Sequence, residues 1–150
     1  MMNANTYILA QLPYRQPFLF VDEITSVTEN EITGNYRLPE DAYFYQGHFK
    51  DFPITPGVIH TEIMAQIGVV CLGIYINHNA LYNNKICVLT STEINFLKPS
   101  FPGDKLTVKS KKVYFRFDKL KCDVSLFNES GDVLARGSIS GMLTDFNPNE

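Results

Sequence analysis

The sequence predicts an α+β fold in which one antiparallel sheet curls around a single long helix. Three observations carry this expectation: two extended segments come first, one long apolar helical stretch follows, and four more extended segments close the chain. With 150 residues, 45% of them hydrophobic and 19% charged, the chain fits one globular domain spanning residues 1–150. No repeat, low-complexity tract or Ser/Gly linker marks an internal boundary.

From Phe18 to Leu38 the chain is rich in Phe, Val, Ile, Thr and Tyr. It is broken at Glu29-Asn30-Glu31, which reads as two strands joined by a turn. Between Pro39 and Pro56 three prolines mark a loop. A helix then opens at Thr55-Pro56-Gly57. Thr55 suits the N-cap, and Pro56 suits the first helical position, where its missing N–H costs nothing. It runs to about Ile76 and ends at Asn77-His78-Asn79, a rod of roughly 30 Å at about 1.5 Å per residue. Beyond it, Ile86–Phe96, Lys105–Phe117, Lys119–Phe127 and Val133–Phe146 read as strands, with Asn128-Glu129-Ser130-Gly131-Asp132 as a turn. In the third of these Leu120, Cys122, Val124 and Leu126 alternate with polar residues, so one face is buried and the other wet.

The helix is apolar almost all round, and Gly68 and Gly73 would let strands approach it closely. It is therefore a central helix that a sheet must enclose. This order of elements is the hot-dog arrangement. A single sheet around one helix leaves edge strands open, and pairing two subunits edge to edge covers them, so at least a dimer is expected.

The N-terminus lacks the basic start and apolar stretch of a secretory signal, and the chain is read as cytoplasmic. The longest apolar run, Ile67–Ile76, is shorter than the about 20 residues of a membrane span. Cys71, Cys87 and Cys122 show no C-x-x-C spacing and read as buried reduced thiols. A formal charge of -3 argues against a nucleic-acid partner, although eight of the thirteen Lys and Arg lie between Lys98 and Lys121.

Unusual residues concentrate in Tyr43-Phe44-Tyr45-Gln46-Gly47-His48-Phe49, then Pro53-Ile54-Thr55-Pro56-Gly57, then Glu62. Taken alone, a loop histidine is most often a surface residue. Glu62 has two readings: buried beside Ile63, Met64, Ile67 and Val70 with a raised pKa, or turned outward near the positive end of the helix dipole. Gln66, one turn on, is placed to hold its carboxyl. His60 projects to another side of the helix, which disfavours a metal site built from His48, His60 and Glu62. The Gly57 N–H, at the start of the helix and without a side chain, is a candidate donor to a ligand oxygen.

At these residues the sequence resembles the FabA/FabZ 3-hydroxyacyl-acyl carrier protein dehydratases. Leu12-Pro13-Tyr14-Arg15-Gln16-Pro17-Phe18-Leu19-Phe20-Val21-Asp22 is similar to the family's L-P-H-R-x-P-F-L-L-V-D. Gln46-Gly47-His48-Phe49, Pro56-Gly57-Val58 and Glu62-x-Met64-Ala65-Gln66 resemble its Q-G-H-F, P-G-V and E-A-M-A-Q, in order and spacing. Phe96-Leu97-Lys98-Pro99-Ser100-Phe101-Pro102-Gly103-Asp104 resembles F-x-x-P-V-x-P-G-D. Tyr14 in place of histidine, Lys50-Asp51-Phe52, and Thr55 in place of an apolar residue depart from the pattern and bear on the choice of acyl chain.

The resemblance implies His48 as base and Glu62 as acid in dehydration of a 3-hydroxyacyl chain carried by acyl carrier protein. Gly57, Val58, Gln66 and Phe49 are the substrate-binding candidates around them. It implies no metal and no organic cofactor, and a homodimer, or a trimer of dimers, whose active sites take the two residues from different subunits. Glutamate rather than aspartate at position 62 favours the FabZ type. Lys109, Lys111, Lys112, Arg116 and Lys119 form a candidate docking patch for the acidic carrier, against the plainer reading of lysines that solvate outer strand faces. Two rival functions share the fold: an acyl-thioesterase, and a non-catalytic acyl-binding partner subunit.

Overall fold

A computed structural model describes residues 3–78 and 85–145. The chain opens with a helix absent from the expectations above, α1 (Ala4–Gln11), in which the Asn3 side chain caps the start by accepting from the Thr6 N–H at 2.8 Å. Ile8 is its one buried residue, so it carries no apolar stripe for periodicity to reveal. Strands β1 (Glu23–Val27) and β2 (Glu31–Arg37) follow. The first begins five residues later than expected, because the Phe18 carbonyl and the Phe20 N–H pair with the Gln66 side chain rather than with a neighbouring strand. Inside the expected loop, Tyr43–Gln46 forms a short 3-10 turn.

The long helix α2 (Gly57–Ile76) starts one residue late relative to expectation. Pro56, not Thr55, occupies the cap position, and no side chain caps this end. Thr55 fails as a cap because its hydroxyl is engaged elsewhere, by Tyr45 at 2.7 Å and Ser100 at 2.8 Å. From Gln66 to Cys71 the helix widens into a π-helical turn. In this turn the Gly68 carbonyl accepts from the Ser110 hydroxyl at 2.8 Å, so the locally altered ladder leaves it partnered. Its 20 residues and mean hydropathy of 1.6 would suffice for a membrane span by length and composition, as the shorter run at Ile67–Ile76 does not, yet 72% of its most apolar window is buried inside the protein.

Strands β3 (Lys85–Phe96), β4 (Lys105–Arg116), β5 (Lys119–Phe127) and β6 (Val133–Asp145) complete one six-stranded antiparallel sheet of order β1-β2-β4-β5-β6-β3. Asn79 and Phe146, expected at the ends of the helix and the last strand, lie outside the described residues. The sheet curls around α2 as the hot-dog arrangement requires. Ile63, Met64, Ile67 and Leu72 of the helix are fully buried against Leu106, Val108, Cys122, Val124, Leu126, Leu134 and Ile139 of the strands. Each such aliphatic side chain contributes about 1.5–3 kcal/mol by leaving water.

At Gly68 the helix touches the sheet closely: a Cβ there would stand 3.0 Å from Val124 and 3.1 Å from Ser110. Gly73 does not play that part. A Cβ there meets only Leu120, at an ordinary 3.7 Å, so the helix end has room beside it.

The two sheet edges differ. Strand β1 is short, and the Asn5 side chain of α1 accepts its Ile24 N–H at 2.7 Å. Strand β3 is twelve residues long and exposes Val88, Leu89 and Phe96.

Candidate active site

His48 stands just after the 3-10 turn, half-buried, with its backbone paired to Ile54. The Ile54 N–H donates to the His48 carbonyl at 2.9 Å, and the His48 N–H donates to Phe44 O at 3.1 Å. Its Nδ1 lies 2.8 Å from the Ile54 carbonyl oxygen. A carbonyl can only accept, so Nδ1 carries the hydrogen and the neutral ring presents its lone pair at Nε2. The Phe49 ring stacks on the imidazole with centroids 4.0 Å apart, across a peptide bond that is cis.

Glu62 lies on the second turn of α2, and the structure decides between its two readings: the carboxyl is half-buried. Burial pushes its pKa above the ordinary 4.5, while a hydrogen bond from Gln66 pulls the other way. That bond runs from Gln66 Nε2 to Glu62 Oε2 at 2.9 Å. The same amide donates to Phe18 O at 3.1 Å and accepts from the Phe20 N–H at 2.8 Å. Both protons and the oxygen of Gln66 are therefore assigned, and Oε2 is held as an acceptor. When the carboxyl is protonated, its hydrogen sits on Oε1.

Glu62 lines a mainly apolar cavity of about 290 Å³ with Tyr14, Phe18, Ala65, Val69, Val88 and Leu89. Val69, Val70 and Cys87 also line a second cavity of about 80 Å³, which runs on past Gly73 and Leu120. Tyr14 bounds the carboxyl, and burial together with the nearby Glu62 charge raises its phenol above the usual range. Sequence reasoning noted Tyr14 only as a departure from a motif. It missed Phe18, Val88 and Leu89 as cavity walls; for Val88 and Leu89 the available signal was apolar residues on a long strand, which the structure places at a sheet edge.

Within one chain His48 does not line the cavity of Glu62. The Gly57 N–H stands uncapped at the helix start, and a Cβ on Gly57 would sit 3.3 Å from the Phe96 ring, which walls that side. Val58 and Phe49 are 75% and 54% exposed, apolar surface near the helix start and beside His48, while Gln66 is fully buried.

His60 turns away from both, into the protein. Burial lowers its pKa to about 4, and its Nε2 lies 2.6 Å from the Ser100 hydroxyl. Among the described residues no cluster of three or more His, Cys, Asp or Glu side chains is arranged to hold a metal ion. The three cysteines are free thiols. Of the basic residues on β4, Lys109 lies over the Phe127 ring and Arg116 over Tyr114, while Lys111 stands exposed, in register with Asp123.

Residues 12–137 match the model of the FabA-like domain family. Over 103 residues the chain is 39% identical to the 3-hydroxyacyl-[acyl-carrier-protein] dehydratase FabZ of Acinetobacter baumannii, covering 68% of this chain and 70% of that one. The FabZ of Lactococcus lactis subsp. cremoris is 31% identical over 140 residues, 93% of this chain and 91% of its own. Among solved structures, the dehydratase heterocomplex ApeI:P from Xenorhabdus doucetiae superposes with a TM-score of 0.76 at 16% identity, covering 95% of this chain and 93% of that one. A hypothetical thioesterase from Streptococcus pneumoniae with coenzyme A superposes at 0.61 with 17% identity, covering 83% and 87%. At these identities the superpositions speak for the hot-dog fold alone.

Proposed function

The chain belongs to the FabA-like family, and from that premise we propose that it is a 3-hydroxyacyl-[acyl-carrier-protein] dehydratase of fatty-acid or related acyl-chain biosynthesis. The observation that carries this reading is the pair of fixed side chains: an imidazole offering a lone pair at Nε2, and a carboxyl whose pKa is raised in an apolar slot.

Dehydration needs a base and an acid in opposite protonation states at one pH. Nε2 of neutral His48 takes the proton from the carbon next to the thioester carbonyl. Oε1–H of Glu62 gives its proton to the 3-hydroxyl, the carbon–oxygen bond breaks, and water leaves as the 2,3 double bond forms. His48 is then protonated and Glu62 ionised, and proton exchange with water restores both. The Gly57 N–H donates to the thioester oxygen as negative charge develops there, a contribution on the order of 3 kcal/mol for one donor. The two neighbouring cavities, which share Val69, Val70 and Cys87 as walls, house the acyl chain and keep water from it.

The active assembly is at least a homodimer paired along β3, with His48 of one subunit completing the Glu62 cavity of the other. Two features support this: Val88 and Leu89 are both exposed edge residues and walls of that cavity, and His48 of the same chain is not one of its walls. The acidic carrier docks on the basic stretch around Lys111 and Lys112, which delivers the substrate arm.

The test is incubation with carrier-linked 3-hydroxyacyl chains of several lengths. The expected result is an enoyl product absorbing in the ultraviolet, abolished in His48→Ala and Glu62→Gln. Release of free thiol without enoyl product would replace this reading with thioester hydrolysis.

A further inference from the structure

A buried chain of hydrogen bonds connects the loop that carries His48 to the helix that carries Glu62. It begins at Tyr45, whose hydroxyl meets Thr55 Oγ1 at 2.7 Å. Ser100 donates its hydroxyl hydrogen to the same Thr55 oxygen at 2.8 Å. A serine hydroxyl has one hydrogen, so the 2.6 Å contact between Ser100 Oγ and His60 Nε2 must be donated by His60. His60 is thus a neutral imidazole with its hydrogen on Nε2, the form that burial favours. The Thr55 N–H also donates to the Ser100 carbonyl at 2.9 Å. All four residues are buried, with Ser100 at 0%, His60 at 2%, Thr55 at 3% and Tyr45 at 7% exposure.

These positions do not need polar side chains to fill space. Thr55 stands where the motif has an apolar residue, and Ser100 where it has valine. Burying hydroxyls and an imidazole is costly unless each finds a partner, so a satisfied cluster fixes one geometry in a way that apolar packing does not. What it fixes is specific. Thr55 follows Ile54, whose carbonyl holds Nδ1 of His48, and precedes Pro56-Gly57 at the helix start. Tyr45 lies three residues before His48. The Thr55 hydroxyl therefore clasps both arms of the His48 loop and ties them, through Ser100, to the turn of α2 that bears Glu62 two residues after His60.

We infer that Thr55, Ser100 and His60 are positioning residues, whose hydroxyl and imidazole chain holds the Ile54 carbonyl on His48 Nδ1 and so keeps Nε2 aimed as the base. The inference rests on the dehydratase reading for its kinetic consequence, but not for its structural one.

The experiment compares two variants that divide the threonine side chain. Thr55→Val keeps the shape and loses the hydroxyl; Thr55→Ser keeps the hydroxyl and loses the methyl. With a 3-hydroxyacyl-carrier substrate, Thr55→Val should lower kcat roughly 10–100-fold with KM within about twofold, since misplacing a reacting group by about 1 Å has effects of that size. Thr55→Ser should stay within about threefold of wild type by the same reasoning, because the clasp persists. In parallel, the imidazole nitrogen shifts of His48 read its tautomer by NMR without any turnover. Wild type and Thr55→Ser should show a single Nδ1–H form, and Thr55→Val a mixture. A folded Thr55→Val with wild-type kcat and an unchanged His48 tautomer overturns the inference. Should Thr55→Val not fold, Ser100→Ala breaks the same chain at its middle and is scored on the same two readouts. If wild type itself makes no enoyl product, the dehydratase reading fails, while the tautomer comparison still decides whether the clasp holds His48.

Discussion

Two histidines stand twelve residues apart in sequence and show how differently one side chain can be used. His48 is half-buried in a loop, with Nδ1–H given to a backbone carbonyl and Nε2 left open. His60 is buried on the helix, with Nε2–H given to a serine hydroxyl and burial lowering its pKa to about 4. The two rings are held as opposite tautomers. A ring whose Nε2 is open can take a proton from a substrate, and a ring whose Nε2 donates inward can only hold its neighbours in place. The difference lies in which partner each ring meets, not in the residue.

The largest test of this contrast is kinetic. His48→Ala should lower kcat by about 10²–10⁴, the usual worth of a positioned general base, whereas His60→Gln, which retains a donor toward Ser100, should lower it less than about tenfold. Equal losses in steady-state dehydration would erase the distinction.

Next in size is the acid limb of stability. The unfolded His60 binds its proton near pH 6.5 and the folded one only near 4. Stability attached to the neutral ring is therefore complete above about 6.5 and lost as pH falls toward 4, by on the order of 3 kcal/mol. Urea unfolding of wild type against His60→Gln between pH 4 and 7 should show a flatter profile for the variant. Parallel profiles would mean that the ring is hydrated.

Glu62 should slope the other way. Its folded pKa lies above 4.5, so the carboxyl detracts from stability as pH rises from 4.5 through the raised value, and the loss persists above it. Glu62→Gln should melt higher than wild type at pH 8 by a margin that shrinks toward pH 4. Thermal melts that show a constant margin would place the carboxyl in water. The smallest effect concerns the surface: reversing Lys111 and Lys112 to glutamate should weaken carrier binding about tenfold at low salt and less at high salt, while leaving turnover of a small thioester analogue unchanged. Titrations that superimpose at low salt would move the carrier elsewhere.

Much of this was legible in the chain. The alternation of Leu120, Cys122, Val124 and Leu126 specified a half-buried strand, and the structure buries all four. The long apolar stretch specified a helix that had to be enclosed, since nearly every face of it avoids water. Glu62 and Gln66, four residues apart, had to share a helix face, and they meet at 2.9 Å. Where the reading failed, local chemistry was overruled by distant residues. Thr55 has the side chain of a helix cap, yet Ser100, forty-five residues away, takes its hydroxyl instead. The helix α1 was invisible because a single buried residue makes no pattern.

The sequence by itself determined the order of elements, the apolar helix at the centre and the identity of the two candidate proton carriers. These follow from side-chain period and residue type, which act within a few neighbours. Only the tertiary structure decided which nitrogen each histidine presents, how deeply Glu62 sits and which strand walls its cavity. Those depend on Ile54, Ser100, Phe18 and Leu89, each brought into contact by folding. Desolvation and hydrogen bonding act over a few ångströms of space, and distance along the chain does not record them.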